Sequence, residues 1–139
     1  MRRVEFVECR LLGLQLVEAE LDDVVIRACA AEGAVFASAV FRSARFENCS
    51  LREASFEQAD LSGVVFYQCD LTGVDLRGAK LIGSDFRGSN ISGAQVGAAE
   101  LRGAIIDSAQ AIQVAGLLGI TVREVDEPSA FPSAPAPAE

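Results

Sequence analysis

Four cysteines carry the side chains best suited to redox or metal chemistry in this sequence, and they recur at one interval. Cys9, Cys29, Cys49 and Cys69 lie 20 residues apart. If one turn of a coil has the same length, the four side chains form a column on one side. Stacked side chains that point the same way do not converge as a disulfide requires. A sequence without histidine or a C-x-x-C pair is also a poor source of zinc ligands. We therefore interpret the cysteines as small buried thiols, which is compatible with a reducing compartment.

No other group of residues predicts catalysis. The chain has no histidine, no tryptophan and one tyrosine, Tyr67, and no serine has a base at a recognisable spacing. The carboxylates recur at regular surface positions instead of forming a pair in a pocket. We expect a protein that is not an enzyme and that binds no cofactor or metal.

The apolar residues repeat every five positions. Seven of the eight phenylalanines share one place in this repeat, and these are Phe6, Phe36, Phe41, Phe46, Phe56, Phe66 and Phe86. Every fifth residue from Phe6 to Ile106 is apolar, and Ala31 alone is small. The residue two places earlier is Ala, Cys, Val or Ser, except at Leu14. Each unit therefore has one small and one large inward residue, as in Ala59-Asp60-Leu61-Ser62-Gly63.

A period of five fits neither a helix nor a strand, but it fits a chain that turns a corner once in every unit. Four units of five residues form one square turn of 20 residues, which is also the interval between the cysteines. The pattern resembles the pentapeptide-repeat family, A-[D/N]-L-x-x, over roughly residues 4–110. That resemblance implies an all-β fold, a right-handed quadrilateral parallel β-helix of about five coils. Glycines such as Gly63 and Gly73 suit its corners.

The interior of this coil should be filled by side chains and should leave no cavity for a substrate. We expect local distortion in the first two coils, because Ala31 should leave a void and Leu14 is too large for its small position.

The two ends differ. We assign residues 1–108 to the β-helix, 109–125 to a C-terminal capping helix and a short strand, and 126–139 to a disordered tail. Asp107 or Ser108 could N-cap the helix, Gly119 could end it, and Ile120–Val125 alternates like a strand. The helix could plug the coil or form a dimer interface, through Ile112, Ala115, Leu117 and Leu118. The N-terminus lacks such a plug, so its open edge invites association.

Charge and hydropathy restrict the partners. Twenty acidic and 12 basic side chains give a net charge of −8, which argues against direct binding of nucleic acid. No apolar run approaches the roughly 18 residues of a membrane span, and Glu5 and Glu8 interrupt any signal-like segment. We expect a cytoplasmic protein.

Two functions remain open. Pentapeptide-repeat proteins of the quinolone-resistance type are dimeric acidic rods that mimic duplex DNA on DNA gyrase, a type II topoisomerase, and protect it from drugs. That resemblance implies a homodimer whose contact side would carry Glu20, Asp22, Asp23, Asp60 and Glu100. The alternative is a structural or assembly module that docks on another protein through its open edge or an outward patch around Val25, Val35 and Val40.

Overall fold

The computed structural model describes residues 3–125, which form a parallel β-solenoid followed by one short helix. Its strands are short because the chain turns a corner after every few residues. They are β1 (Val4–Val7), β2 (Glu20–Asp22), β3 (Val24–Arg27), β4 (Val40–Arg42), β5 (Arg45–Glu47) and β6 (Val65–Tyr67). The helix α1 spans Ser108–Leu117.

Strands pair in parallel, and each residue lies opposite the residue 20 positions further along the chain. This offset equals the interval between the cysteines. In one sheet β1, β3, β5 and β6 follow one another, with Phe6 opposite Ile26 and Phe46 opposite Phe66. In a second sheet β2 pairs with β4, and isolated bridges such as Arg10 with Ala30 connect the other sides at the same offset. The predicted β-helix, with one turn for every four units, is confirmed.

The number of coils was overestimated. Continuous strands span about three turns, from β1 to β6, compared with the expected five coils. Beyond Tyr67 the ladder continues through isolated bridges, up to the pair Asp85 and Ile105. Glycine fills the corners there more often, as at Gly73, Gly78, Gly83 and Gly88.

Each turn of the coil is called a lap, and its four sides are called walls. The first lap comprises residues 4–23, and its four walls are centred on Glu5, Arg10, Gln15 and Glu20. The residue at the centre of a wall points outward, between one small and one large inward neighbour. This numbering defines the first to fourth walls below.

Phenylalanine rings fill the middle of the core. Phe36 and Phe56 stack with centroids 5.0 Å apart, and Phe46 and Phe66 stack at 5.1 Å. The two columns meet edge to face, with Phe46 and Phe56 at 6.1 Å and 88°. Offset stacks and edge-to-face contacts are the arrangements that aromatic quadrupoles favour, so the rings pack the middle of the interior closely.

The residue two places after a large inward side chain lies at a corner of the coil, and its backbone is left-handed. Glycine adopts this conformation at no steric cost, as at Gly63 with φ of 75°. In the first half other residues take the same place, for example Asn48 with φ of 53° and Gln58 with φ of 64°. The predicted role of glycine at the corners is confirmed, although glycine is not obligatory there.

Helix α1 closes the C-terminal end. Asp107 is its N-cap, and it forms a capping box with Gln110: the Asp107 carboxylate accepts from Gln110 N at 2.9 Å, and Gln110 Oε1 accepts from Asp107 N at 3.0 Å. The helix ends in a Schellman motif, in which Gly119 is left-handed and Ile120 N donates to Ala115 O at 2.7 Å. Both ends of the helix are therefore encoded locally.

The strand predicted for Ile120–Val125 is wrong, since none of these described residues lies in a strand. The tail predicted for 126–139 lies outside the described residues. Within residues 3–125 no helix has the length and hydropathy of a membrane span.

The N-terminal end is open. An apolar hollow of about 210 Å³ lies in the first two laps. Its walls are formed by Phe6, Leu11, Leu14, Leu16, Leu21, Val24, Ile26 and Phe36. The predicted distortion does not appear in the pairing of these laps, which keeps the regular offset through β1 and β3 and between Gln15 and Val35. Ala31 does not line the hollow, and the expectation of a completely filled interior is wrong here. Residues 3–125 place no lap above the first, and within this part of the chain its large side chains are packed from one side.

Candidate protein-interaction surfaces

The cysteines form the predicted column on the second wall, at its corner with the first, and their thiols connect neighbouring laps. Cys49 Sγ donates to Ile26 O at 3.1 Å, and Cys69 Sγ donates to Phe46 O at 3.4 Å, in each case a carbonyl of the preceding lap. Ser89 continues the column, and its hydroxyl donates to Phe66 O at 2.7 Å. The same position thus accepts a thiol or a hydroxyl, which indicates a structural role as a hydrogen-bond donor.

Two of the buried thiols in this column, Cys29 and Cys69, resist ionisation. Burial raises the pKa of the Cys29 thiol. The pKa of Cys69 is also raised, by its hydrogen bond to Cys49 and by burial, because a thiolate there would be poorly solvated. Thiolates are the reactive form, so Cys29 and Cys69 are poor nucleophiles in the folded state. The hydrogen bond with Cys69 lowers the pKa of the Cys49 thiol to about 7, and burial is what keeps that side chain from reagents.

Thiol reactivity provides a direct measurement. Cys9 is half-buried at the open end, whereas Cys29, Cys49 and Cys69 are buried. We expect one of the four thiols to react with DTNB in the native protein, and all four after unfolding in guanidinium chloride. The Cys9→Ser variant should lose the native reaction. If rapid labelling persists in that variant, the column is not closed.

The acidic residues predicted as the contact side all lie on the fourth wall, but their neighbouring side chains differ. Arg42 Nη1 lies 3.1 Å from Asp22 and 3.6 Å from Glu20, and Arg3 Nε lies 3.2 Å from Asp23. These three carboxylates belong to the first lap and are therefore close together, and basic side chains offset part of their charge.

Asp60 and Glu100 are separated from that group by two and four laps. The Asp60 carboxylate accepts from Ser62 N at 3.1 Å, and hydrogen bonding lowers its pKa. Glu100 accepts from Gly97 N at 2.8 Å and Gly78 N at 3.1 Å, and these bonds lower its pKa. Glu100 thereby ties two laps together in addition to carrying charge.

Charges alternate along the fourth wall. Arg42 follows the acidic first lap, and Lys80 lies beside Asp60 in the isolated bridge between their laps. Adjacent laps of a parallel stack are about 4.8 Å apart, so opposite charges in successive laps attract. The wall is a ladder of alternating charge with an acidic end at the first lap.

The apolar surface differs from the sequence prediction. Val25 is buried, since it lies in register between Glu5 and Arg45, whose long side chains cover it. Val35 and Val40 are half-buried. The exposed apolar residues of the first half lie instead in the first lap, where Leu12 is 59% exposed and Val17 is 54% exposed.

Sequence reasoning missed Val114 and Gln110, two residues of the C-terminal cap. Val114 and Leu117 pack on the core and, with Ile106 and Leu101, enclose a small void. Gln110 is buried, and its Nε2 donates to Ser89 O at 2.6 Å and to Phe86 O. Of the residues assigned to the cap or a dimer interface, Leu117 thus faces the core, Ala115 is half-buried, and Ile112 and Leu118 are exposed.

Family comparison agrees with the square coil. A family model described as a pentapeptide repeat region matches residues 1–75 and 39–114. The chain belongs to the pentapeptide-repeat family. Pentapeptide-repeat proteins are in general structural or binding modules. A comparison with curated protein sequences finds no match.

Solved structures of pentapeptide-repeat proteins share the fold. The chain is 25% identical to AT2G44920 from the Arabidopsis thaliana thylakoid lumen, with a TM-score of 0.55 over 78% of this chain and 76% of that one. It is 19% identical to Rfr23 from the cyanobacterium Cyanothece 51142, with a TM-score of 0.52 over 75% and 88%. QnrB1, a plasmid-mediated fluoroquinolone resistance protein, is 17% identical, with a TM-score of 0.43 over 87% and 98%.

Metal chemistry has no candidate site in the described part of this pentapeptide-repeat protein. Among residues 3–125 no group of three or more His, Cys, Asp or Glu side chains could hold an ion. The surfaces that remain for function are the acidic fourth wall, the apolar first lap and the exposed side of α1.

Proposed function

We propose that this protein is a non-enzymatic binding module of the cytoplasm that acts as a homodimer on a type II topoisomerase, DNA gyrase. In this proposal its acidic exterior mimics duplex DNA, occupies the DNA-binding surface of the enzyme, and protects it from inhibitors. The observation that carries the proposal is the excess of carboxylates on the coil, where residues 4–107 hold 16 acidic against 9 basic side chains.

The dimensions of the coil support contact with a DNA-binding groove. Five intervals of about 4.8 Å separate Glu5 from Ile105, so the rod is about 24 Å long. Duplex DNA of that length carries about 14 negative charges. Residues 4–107 have a net charge of −7, from 16 acidic and 9 basic side chains, about half of that density, and two copies would double the length of the acidic surface. The unbroken five-residue register leaves a smooth exterior for this contact.

A supercoiling assay tests the proposal. Micromolar protein should inhibit DNA gyrase and should reduce cleavage stimulated by a quinolone. The double variant Glu20→Lys/Asp60→Lys reverses two charges on the fourth wall, and we expect at least tenfold weaker inhibition, since charge reversal repels a basic groove. The control Glu53→Lys/Glu57→Lys changes the net charge equally on other walls and should retain most of the effect. Absence of inhibition and of drug protection by the wild-type protein would refute the proposal.

A structural or assembly module is the second candidate function. It is favoured by one observation, the cluster of exposed Val7, Leu12 and Val17 at the open end of the coil. Solvent-exposed apolar clusters beside an unpaired β-edge are typical of protein contacts. Under this alternative the supercoiling assay is negative and the open end makes the functional contact.

A further inference from the structure

Ala98 departs from the backbone conformation of the other corners of the coil. From position 8 to position 103, every corner residue of the described chain has a left-handed backbone except Ala98. The chain forms a turn of helix there, closed by a hydrogen bond from Leu101 N to Gly97 O at 3.2 Å. The fourth wall of the fifth lap is therefore a helical turn instead of a flat segment.

This helical turn leaves backbone groups of the fourth lap without partners. One lap earlier the pairing is complete, since Lys80 N donates to Ala59 O at 2.9 Å and Leu61 N donates to Lys80 O at 2.9 Å. Ala79 O and Leu81 N hold the equivalent positions facing the fifth lap, and neither has a hydrogen-bond partner among residues 3–125. The β-ladder between the fourth and fifth laps is therefore open on the fourth wall.

A slot of about 280 Å³ lies at this opening. It is lined by residues 79–82 of the fourth lap and by Ala99, Glu100 and Arg102 of the fifth. The pairing of the two laps is regular on both sides of the slot, where Asp75 bridges to Gln95 and Asp85 bridges to Ile105. The slot is thus an opening inside the stack of laps, and its size approaches the roughly 300 Å³ at which ligand pockets begin.

Glu100 is held at one end of the slot by backbone groups. In a regular lap Gly78 N would donate to Gly97 O, but that carbonyl accepts from Leu101 N. The Glu100 carboxylate takes its place, and it accepts from Gly78 N at 3.1 Å and from Gly97 N at 2.8 Å. Its negative charge is therefore committed to the backbone and forms no ion pair with Lys80 in the described chain.

Unpaired positive charge collects at the slot. Of the nine basic side chains in residues 4–107, six lie within 3.9 Å of a carboxylate in the described chain. The other three are Arg10, Lys80 and Arg102, and the last two both line the slot. The Asp60 carboxylate, beside Lys80 in the third lap, accepts from Ser62 N instead. In a coil of net negative charge, these two side chains make the slot a local site for an anionic group.

We propose that the slot binds an extended acidic peptide of a partner protein, which completes the interrupted ladder. The N–H of one peptide residue donates to Ala79 O and its C=O accepts from Leu81 N, as Lys80 does with Ala59 and Leu61 one lap earlier. Addition of a strand to an exposed edge is a common mode of peptide recognition. The bound residue points outward about 4.8 Å from Lys80, so an Asp or Glu at this place forms an ion pair with it.

The slot also restricts the neighbours of the acidic residue. The residues on either side of it point inward, where Leu101 already packs against the core, so they must be small. The residue two places further lies beside Ile82, which is 62% exposed, and an apolar side chain fits there. The inference goes beyond the contact with gyrase, because an acidic ligand of this slot differs in charge from a DNA-binding surface.

Amide hydrogen exchange tests the opening without any peptide. Leu61 N donates to Lys80 O, whereas Leu81 N, at the same place one lap later, has no acceptor in the described chain. In NMR spectra of the full chain we expect the Leu81 amide to exchange at least about tenfold faster than the Leu61 amide. Equal protection of the two amides would overturn the inference, since the ladder would then be closed.

Fluorescence anisotropy with a labelled peptide, Gly-Ala-Glu-Gly-Ile-Gly, tests the ligand. We expect saturable binding that slows exchange of the Leu81 amide. Lys80→Glu should weaken binding at least about fivefold, because an attraction becomes a repulsion. Arg10→Glu makes the same charge change at the third unpaired base, on another wall, and should leave the dissociation constant within about twofold. Circular dichroism confirms that both variants are folded.

Changes in the peptide separate backbone pairing from charge. Methylation of the glutamate nitrogen removes the donor to Ala79 O and should abolish binding, whereas glutamine in place of glutamate should weaken it about fivefold. If the N-methylated peptide binds as well as the parent, or if acetate displaces the peptide at equal concentration, the slot binds only an anion and the inference is overturned. Absence of binding at millimolar peptide also overturns it, while the contact with gyrase is still decided by the supercoiling assay, which contains no peptide.

Discussion

Replacing Phe56 with alanine is expected to lower the free energy of unfolding by about 3–5 kcal/mol, the range for a large aromatic residue removed from a packed core. The Phe56 side chain is fully buried. It stacks on Phe36 at 5.0 Å and meets Phe46 and Phe66 edge to face at 6.1 and 5.9 Å. No neighbouring side chain can move into the vacated space without leaving another ring, so the cavity should persist. Urea unfolding followed by circular dichroism measures the change.

A milder substitution at the same position provides the control. Leu16 and Leu76 occupy the same column in the first and fourth laps, so the wall accommodates leucine. Phe56→Leu should therefore cost less than about 1.5 kcal/mol. If Phe56→Ala proves no more costly than Phe56→Leu, then the aromatic stack does not hold the middle laps together.

Loss of the Gln110 side chain should destabilise the capped end by about 2–4 kcal/mol. Its Nε2 is the donor for the carbonyls of Phe86 and Ser89 at the edge of the coil, and a buried acceptor without a donor costs about 1–3 kcal/mol. Gln110→Ala also breaks half of the capping box with Asp107. Gln110→Glu should be at least as harmful at neutral pH, because an ionised carboxylate cannot donate. Thermal unfolding of the two variants measures both effects.

Gln113 offers the matched control for that experiment. It lies on the same helix, is exposed, and makes one long hydrogen bond of 3.4 Å to Ser92. Gln113→Ala should change stability by no more than about 0.5 kcal/mol, as is usual for surface positions. Equal losses at positions 110 and 113 would mean that Gln110 stabilises α1 only as a helix residue and does not cap the coil.

Most of the solenoid could be predicted because a single rule applies to every lap. A period of five, checked against the spacing of Cys9, Cys29, Cys49 and Cys69, determines which side chains point inward and which residues become neighbours in successive laps. Parallel pairing at that offset then follows for all walls. The number of continuous turns was in error, because corner glycines shorten the strands beyond Tyr67.

The other structural features depend on contacts that cannot be read from the five-residue repeat. The spacing of Asp107 and Gln110 is that of a capping box, but the second function of Gln110 appears only when α1 is placed over Phe86 and Ser89. Val25 looked exposed from its place in the unit, whereas its neighbours in the adjacent laps, Glu5 and Arg45, cover it. Alternation in Ile120–Val125 predicted a strand, yet these residues take part in none of the described β-pairs.

The constant offset between laps also sets the units in which such a molecule can evolve. Duplication or loss of one complete lap changes the length by about 4.8 Å and preserves every pairing on either side. Insertion of a single amino acid, in contrast, moves all later inward side chains out of phase with the laps already formed. Descendants of this gene should therefore differ by whole multiples of the lap, and point substitutions should accumulate on the outside.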